Sequence, residues 1–74
     1  MEIRHILKKE RKKRAMTQDE LAEYLNISQS AYNKYESGKN MPTTESIIKL
    51  ARLYKCSTDY LLGIVKYDDE EYEK

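Results

Sequence analysis

The chain has 74 residues, enough for one small domain with a single core and little surplus. Its composition is 36% charged and 39% hydrophobic, but the apolar residues recur at folding intervals, which excludes a disordered polyelectrolyte. The lone cysteine, Cys56, excludes an internal disulfide and offers no metal-ligand spacing. The longest apolar stretch, Leu61-Leu62-Gly63-Ile64-Val65, is too short to span a bilayer or form a signal-peptide core, so a cytoplasmic protein without membrane contact is expected.

The net charge of +1 hides an asymmetry. Residues 1–66 carry 13 Lys/Arg against 8 Asp/Glu, a surplus of +5, whereas residues 67–74 carry −4. The reading is one folded unit over 1–66 followed by a short acidic tail over 67–74, too polar to fold alone. A basic body with an acidic appendage is a pattern of nucleic-acid binders. With seven Tyr but no Trp or Phe, an aliphatic core with Tyr rings at its margins is expected, because each hydroxyl needs water or a partner.

No stretch alternates as a strand does, and the spacing predicts five helices. The first runs from about Glu2 to Arg14, with Ile3, Ile6 and Leu7 on one face. Glu10 and Arg14 continue that face, with Arg11 at its edge, so these charges must end the buried region or find partners. Thr17-Gln18-Asp19-Glu20 is a capping-box pattern that starts the second helix. Leu21, Ala22 and Leu25 form its inner face, and Asn26 tolerates the left-handed turn that closes it. Ser28 caps a third helix ending at Ser37, with Gly38 in the closing position. Two short helices joined through about three residues make a helix-turn-helix. Pro42 interrupts the chain, and Thr43 or Thr44 starts a fourth helix that turns Ile47, Leu50, Ala51 and Tyr54 inward. Ser57 caps a short fifth helix over 58–62, closed by Gly63.

The third helix divides sharply. At about 100° per residue, Ala31, Tyr32 and Tyr35 share one arc, and Gln29, Ser30, Asn33, Lys34 and Ser37 share the opposite one. The outer arc is almost free of acid and offers amides, hydroxyls and one Lys. Gln and Asn pair with adenine N6/N7, Lys donates to guanine O6/N7, and Ser serves either purine, so this side suits the major groove. A merely soluble polar face uses the same residues, and the flanks decide between the two readings. The start of the second helix suits a phosphate, and Lys39 and Asn40 follow the third helix in a loop.

The segments Thr17-Gln18-Asp19-Glu20-Leu21-Ala22, Tyr35-Glu36-Ser37-Gly38-Lys39, Pro42, Leu50-Ala51 and Ser57-Thr58-Asp59-Tyr60-Leu61-Leu62-Gly63 resemble the Cro/C-repressor (XRE-type) helix-turn-helix family across about residues 3–63. The resemblance implies an all-α, compact five-helix repressor-like domain with its helix-turn-helix in the second and third helices. It implies base reading by Gln29, Ser30, Asn33 and Lys34, and DNA-backbone contacts from Thr17, Gln18, Ser37, Lys39 and Asn40. It also implies a structural ion pair between Arg11 and Glu36; with no ligand cluster in the sequence, neither cofactor nor metal is expected. Asn26 stands where the family favours Gly, Arg14 where it favours apolar residues or Lys, and Tyr32 where it favours an aliphatic. The Tyr32 ring is accordingly expected to lean toward the DNA backbone.

Tyr60, Ile64, Val65 and Tyr67 have no evident place inside such a unit and are read as contacts of a homodimer. A dimer sets two reading helices about 34 Å apart, matching the half-sites of a pseudo-palindromic operator. Cys56 is read as a small buried hydrophobe and His5 as a surface residue. The sequence thus points to a sequence-specific double-stranded DNA-binding transcriptional regulator, a repressor rather than an enzyme, since no nucleophile–base pair or phosphate-cradling Gly loop is present. The alternative is an antitoxin-like or adaptor module that uses the same fold to bind a protein.

Overall fold

In a computed structural model, residues 3–64 are described. They form five helices: α1 (Ile3–Lys13), α2 (Gln18–Leu25), α3 (Gln29–Ser37), α4 (Thr44–Tyr54) and α5 (Thr58–Leu61). Each of the last four starts with a hydroxyl cap. Thr17, Ser28, Thr43 and Ser57 accept from the backbone N–H of Glu20, Ala31, Ser46 and Tyr60, respectively. At α2 the capping box is complete, because Glu20 Oε1 also accepts from the Thr17 N–H at 2.8 Å. Leu62 falls just after α5, one residue short of the sequence expectation.

The helix ends follow one rule at four places. After α1, α2, α4 and α5 a left-handed residue (Ala15, Asn26, Lys55, Gly63) turns the chain. The next N–H then reaches back to the helix: Met16 to Arg11 O, Ile27 to Ala22 O, Cys56 to Ala51 O and Ile64 to Asp59 O, at 2.9–3.2 Å. This is the Schellman pattern, and it satisfies carbonyls that the helix leaves unpaired. Only Asn26 and Gly63 announce it in sequence. Ala15 and Lys55 adopt the strained conformation because the apolar residue that follows each one packs inward. The turn between α2 and α3 is therefore Asn26, Ile27 and Ser28, with Ile27 held against the core.

The core collects one face from every helix. Leu7, Leu21, Leu50 and Leu61 are sealed from solvent, with Ile3, Ala22, Leu25, Ile47, Ala51 and Cys56 around them. Truncating such a leucine to alanine costs about 2–5 kcal/mol. The expectation of an aliphatic core edged by tyrosines is overturned. Tyr32, Tyr35, Tyr54 and Tyr60 are all buried, and Tyr32 meets Tyr35 edge-to-face at 5.9 Å. With neither Phe nor Trp in the chain, tyrosines supply the large rings, and two of the hydroxyls go to buried carboxylates.

Tyr60 is one of these two, so its reading as a dimer contact is corrected. It is 4% exposed, and its hydroxyl donates to Glu10 Oε2 at 2.7 Å. Glu10, 2% exposed on the inner face of α1, also accepts from Arg14 Nη1 at 2.7 Å. Arg14 stacks on the Tyr54 ring at 4.6 Å and donates to the Tyr54 carbonyl at 2.9 Å. The two charges at the end of the α1 stripe thus find each other and tie α1 to α4 and α5. Ile64 is 67% exposed, whereas Val65, Tyr67, the tail over 67–74 and the Glu2 start of the first helix lie outside the described residues.

Candidate nucleic-acid interface

The short turn and the left-handed Asn26 set α3 across α2, with α1 packed along its flank. Tyr32 and Tyr35 anchor its inner side, and Ala31 is half-buried beside them. Gln29, Ser30, Asn33, Lys34 and Ser37 are all exposed, so the amide-and-hydroxyl side stands in open solvent. The first turn of α3 contains no acid, and Ser28 occupies the Ala31 N–H. The N–H groups of Gln29 and Ser30 are left pointing along the helix axis without intrahelical acceptors.

Beneath this face lies a charged network centred on Glu36. Its carboxylate receives Arg11 Nε at 2.7 Å, Arg11 Nη2 at 3.0 Å, the Tyr32 hydroxyl at 2.6 Å and Gln18 Nε2 at 3.2 Å. Arg11 also donates to the Met16 carbonyl at 2.9 Å. One carboxylate therefore locks α1, α2 and α3 together, and the expected Arg11–Glu36 pair is a two-pronged bond. Burial alone would raise the Glu36 carboxyl, but the bonds from Arg11, Tyr32 and Gln18 outweigh it and hold it below the ordinary value. Arg11 is raised, first by its bond to Glu36. The Tyr32 hydroxyl is pushed up by burial and by the adjacent carboxylate. The expectation that its ring leans outward is corrected: Tyr32 has no exposed surface and spends its hydroxyl inside the molecule.

Gln18 links this network to the outer side of α3. While Nε2 donates to Glu36, Oε1 accepts from Asn33 Nδ2 at 3.2 Å. The sequence placed both residues at the interface, but gave no sign that they touch. Thr17 is exposed, with its side-chain oxygen and its N–H engaged in the cap. The unshared N–H groups of the first α2 turn are those of Gln18 and Asp19, beside the Asp19 carboxylate. Ser37 donates to the Lys34 carbonyl at 3.3 Å, and Lys39 and Asn40 are exposed in the loop beyond Gly38. Arg4 was missed by sequence reasoning. Its side chain lies so close to Gly38 that a Cβ there would meet Arg4 Cδ at 3.0 Å.

Among the described residues, no group of His, Cys, Asp and Glu is arranged to hold a metal ion, and no helix is long and apolar enough to cross a membrane.

The helix-turn-helix family model matches residues 7–61, most of the described chain. The chain belongs to the helix-turn-helix family. This helix-turn-helix protein is similar to the HTH-type transcriptional regulator ImmR of Bacillus subtilis, 47% identical over 57 residues, covering 77% of this chain and 45% of ImmR. It is 37% identical over 71 residues to RstR, the cryptic phage CTXphi transcriptional repressor of Vibrio cholerae, covering 96% of this chain and 63% of RstR. It is also 37% identical over 68 residues to the uncharacterized HTH-type transcriptional regulator YobD of Bacillus subtilis, covering 92% of this chain and 61% of YobD. The chain thus spans less than two thirds of each of these relatives. No solved structure matches.

Proposed function

We propose that this helix-turn-helix protein binds a specific double-stranded DNA sequence in the cytoplasm and regulates transcription, as a repressor rather than a catalyst. The observation that carries this reading is the outer side of α3, where four short or amide-bearing residues and one Lys, without acid, stay exposed above an ion-paired base. In the major groove, Gln29 and Asn33 pair with adenine edges, Lys34 with guanine, and Ser30 with either purine. Thr17, Gln18, Ser37, Lys39 and Asn40 flank that helix and contact phosphates, fixing its register. The printed names of the relatives support the assignment, RstR being called a repressor and ImmR a transcriptional regulator.

Residues 1–66 form the DNA-binding unit, and the acidic run over 68–73 competes weakly with phosphates for the basic face. The protein acts as a homodimer on a two-fold operator. Ile64 supports this: Met16, Ile27 and Cys56 follow left-handed turns and pack on the core, whereas Ile64 follows the same turn and stays exposed. Selecting bound duplexes from a random pool tests the proposal. Enrichment of one motif repeated about a helical turn apart with two-fold symmetry is the expected result, and a pool without enrichment overturns it.

A further inference from the structure

The helix α1 and its closing turn carry seven cations, and they fall into two groups. Lys9 lies over the Tyr60 ring, Arg11 is bonded to Glu36, and Lys13 and Arg14 are paired with Glu10. Arg4, Lys8 and Lys12 are exposed and meet no carboxylate among the described residues. Their i, i+4, i+8 spacing sets them in one row on one side of α1. Arg11, seven positions after Arg4 and so close to it around the helix, reaches α3 through Glu36.

The row begins at the loop that leaves α3. The Arg4 side chain lies against Gly38, whose left-handed backbone (φ 86°) and missing Cβ make room for it. Together Ile3, Arg4, Tyr35, Gly38, Asn40 and Met41 line an open recess of about 170 Å³. Lys39 stands in the same loop and is exposed. Arg4 and Asn40 thus border an open hollow at the edge of the reading helix, with no acid among its lining residues. Planar guanidinium donors match phosphate oxygens in pairs.

We propose that Arg4 and Asn40 hold a DNA backbone phosphate in this recess, with Lys8 beside the next stretch of the strand, extending the interface from the helix-turn-helix onto α1. The site rests on the DNA-binding reading above and adds a ligand from outside the helix-turn-helix. It fixes register and contributes affinity without reading bases.

The test is the salt dependence of binding by the full chain to a duplex selected from the random pool, and to a scrambled duplex of equal length. Arg4→Gln is compared with the wild type, with Arg4→Lys, and with Arg52→Gln, which removes an exposed cation on α4. Circular dichroism melts confirm that all variants fold. One lost phosphate contact lowers the steepness of log K against log salt by about 0.9. The expected result is that loss in Arg4→Gln on both duplexes, partial recovery in Arg4→Lys, and no change in Arg52→Gln. An unchanged slope in Arg4→Gln, or an equal drop in Arg52→Gln, overturns the site while leaving the DNA-binding reading intact. A wild type without salt-dependent DNA binding overturns both.

Discussion

Asn33 on the outer side of α3 donates its side-chain amide to Gln18 Oε1 at 3.2 Å, and Gln18 in turn donates to the buried Glu36 carboxylate. A residue assigned to base reading is thus aimed by one assigned to the backbone, and the aim originates in the ion pair beneath. In water an exposed amide–amide bond contributes little. Within a DNA interface that excludes solvent, the same bond fixes which way the Asn33 amide presents its donor and acceptor. A double-mutant cycle of Gln18→Ala and Asn33→Ala on operator affinity should therefore show a coupling of about 0.5–3 kcal/mol. Additivity within about 0.5 kcal/mol would mean that the two side chains act separately.

The two buried carboxylates make stability fall in acid. Burial raises Glu10 and Glu36, but in both cases bonds from Tyr and Arg partners outweigh it and leave the folded-state value below the ordinary one. A depressed carboxyl stabilises the fold fully above its unfolded value, about 4.3, and that contribution disappears as pH falls through the lower folded value. The melting temperature should stay level from about pH 7 to pH 5 and drop below about pH 4. Glu36→Gln should flatten part of that drop and lower stability by about 3–5 kcal/mol at neutral pH, because it strands Arg11. Thermal melts across this range check both.

Removing single hydroxyls should separate the buried tyrosines. Tyr60→Phe takes a donor from Glu10 and Tyr32→Phe takes one from Glu36, so each should cost about 1–3 kcal/mol. Among the described residues the buried Tyr54 hydroxyl has no hydrogen-bond partner, and burial pushes its ionisation upward. Tyr54→Phe should leave stability unchanged or raise it by about 1 kcal/mol, since it removes an unsatisfied group and keeps the ring under Arg14. Urea unfolding of the three variants gives the order directly.

The helices were legible because their signals are local. Thr17 with Glu20, Ser28, Ser57 and Gly38 each act on a neighbour within four residues, and all are caps in the structure. The outward side of α3 was legible for the same reason, as one helix wheel fixes it. What the wheel could not carry was pairing at long separation. Glu10 meets Tyr60 fifty positions away, and nothing local marks either as the other's partner, so Tyr60 read as a spare surface ring. Ala15 and Lys55 lack the composition of a left-handed cap, and it is the inward packing of Met16 and Cys56 that turns them. Arg4 was silent because its meaning depends on Gly38, which reaches it only through the packing of α1 against α3. The Arg11–Glu36 pair became legible through family resemblance, since their own spacing of 25 residues says nothing.

The most direct test of base reading by α3 measures Asn33→Ala and Gln29→Ala against duplexes carrying each possible base pair at every operator position. Each variant should lose about 1–3 kcal/mol of discrimination at one position per half-site and keep it elsewhere. Equal weakening on every duplex, with the preference at all positions unchanged, would contradict a helix that reads bases.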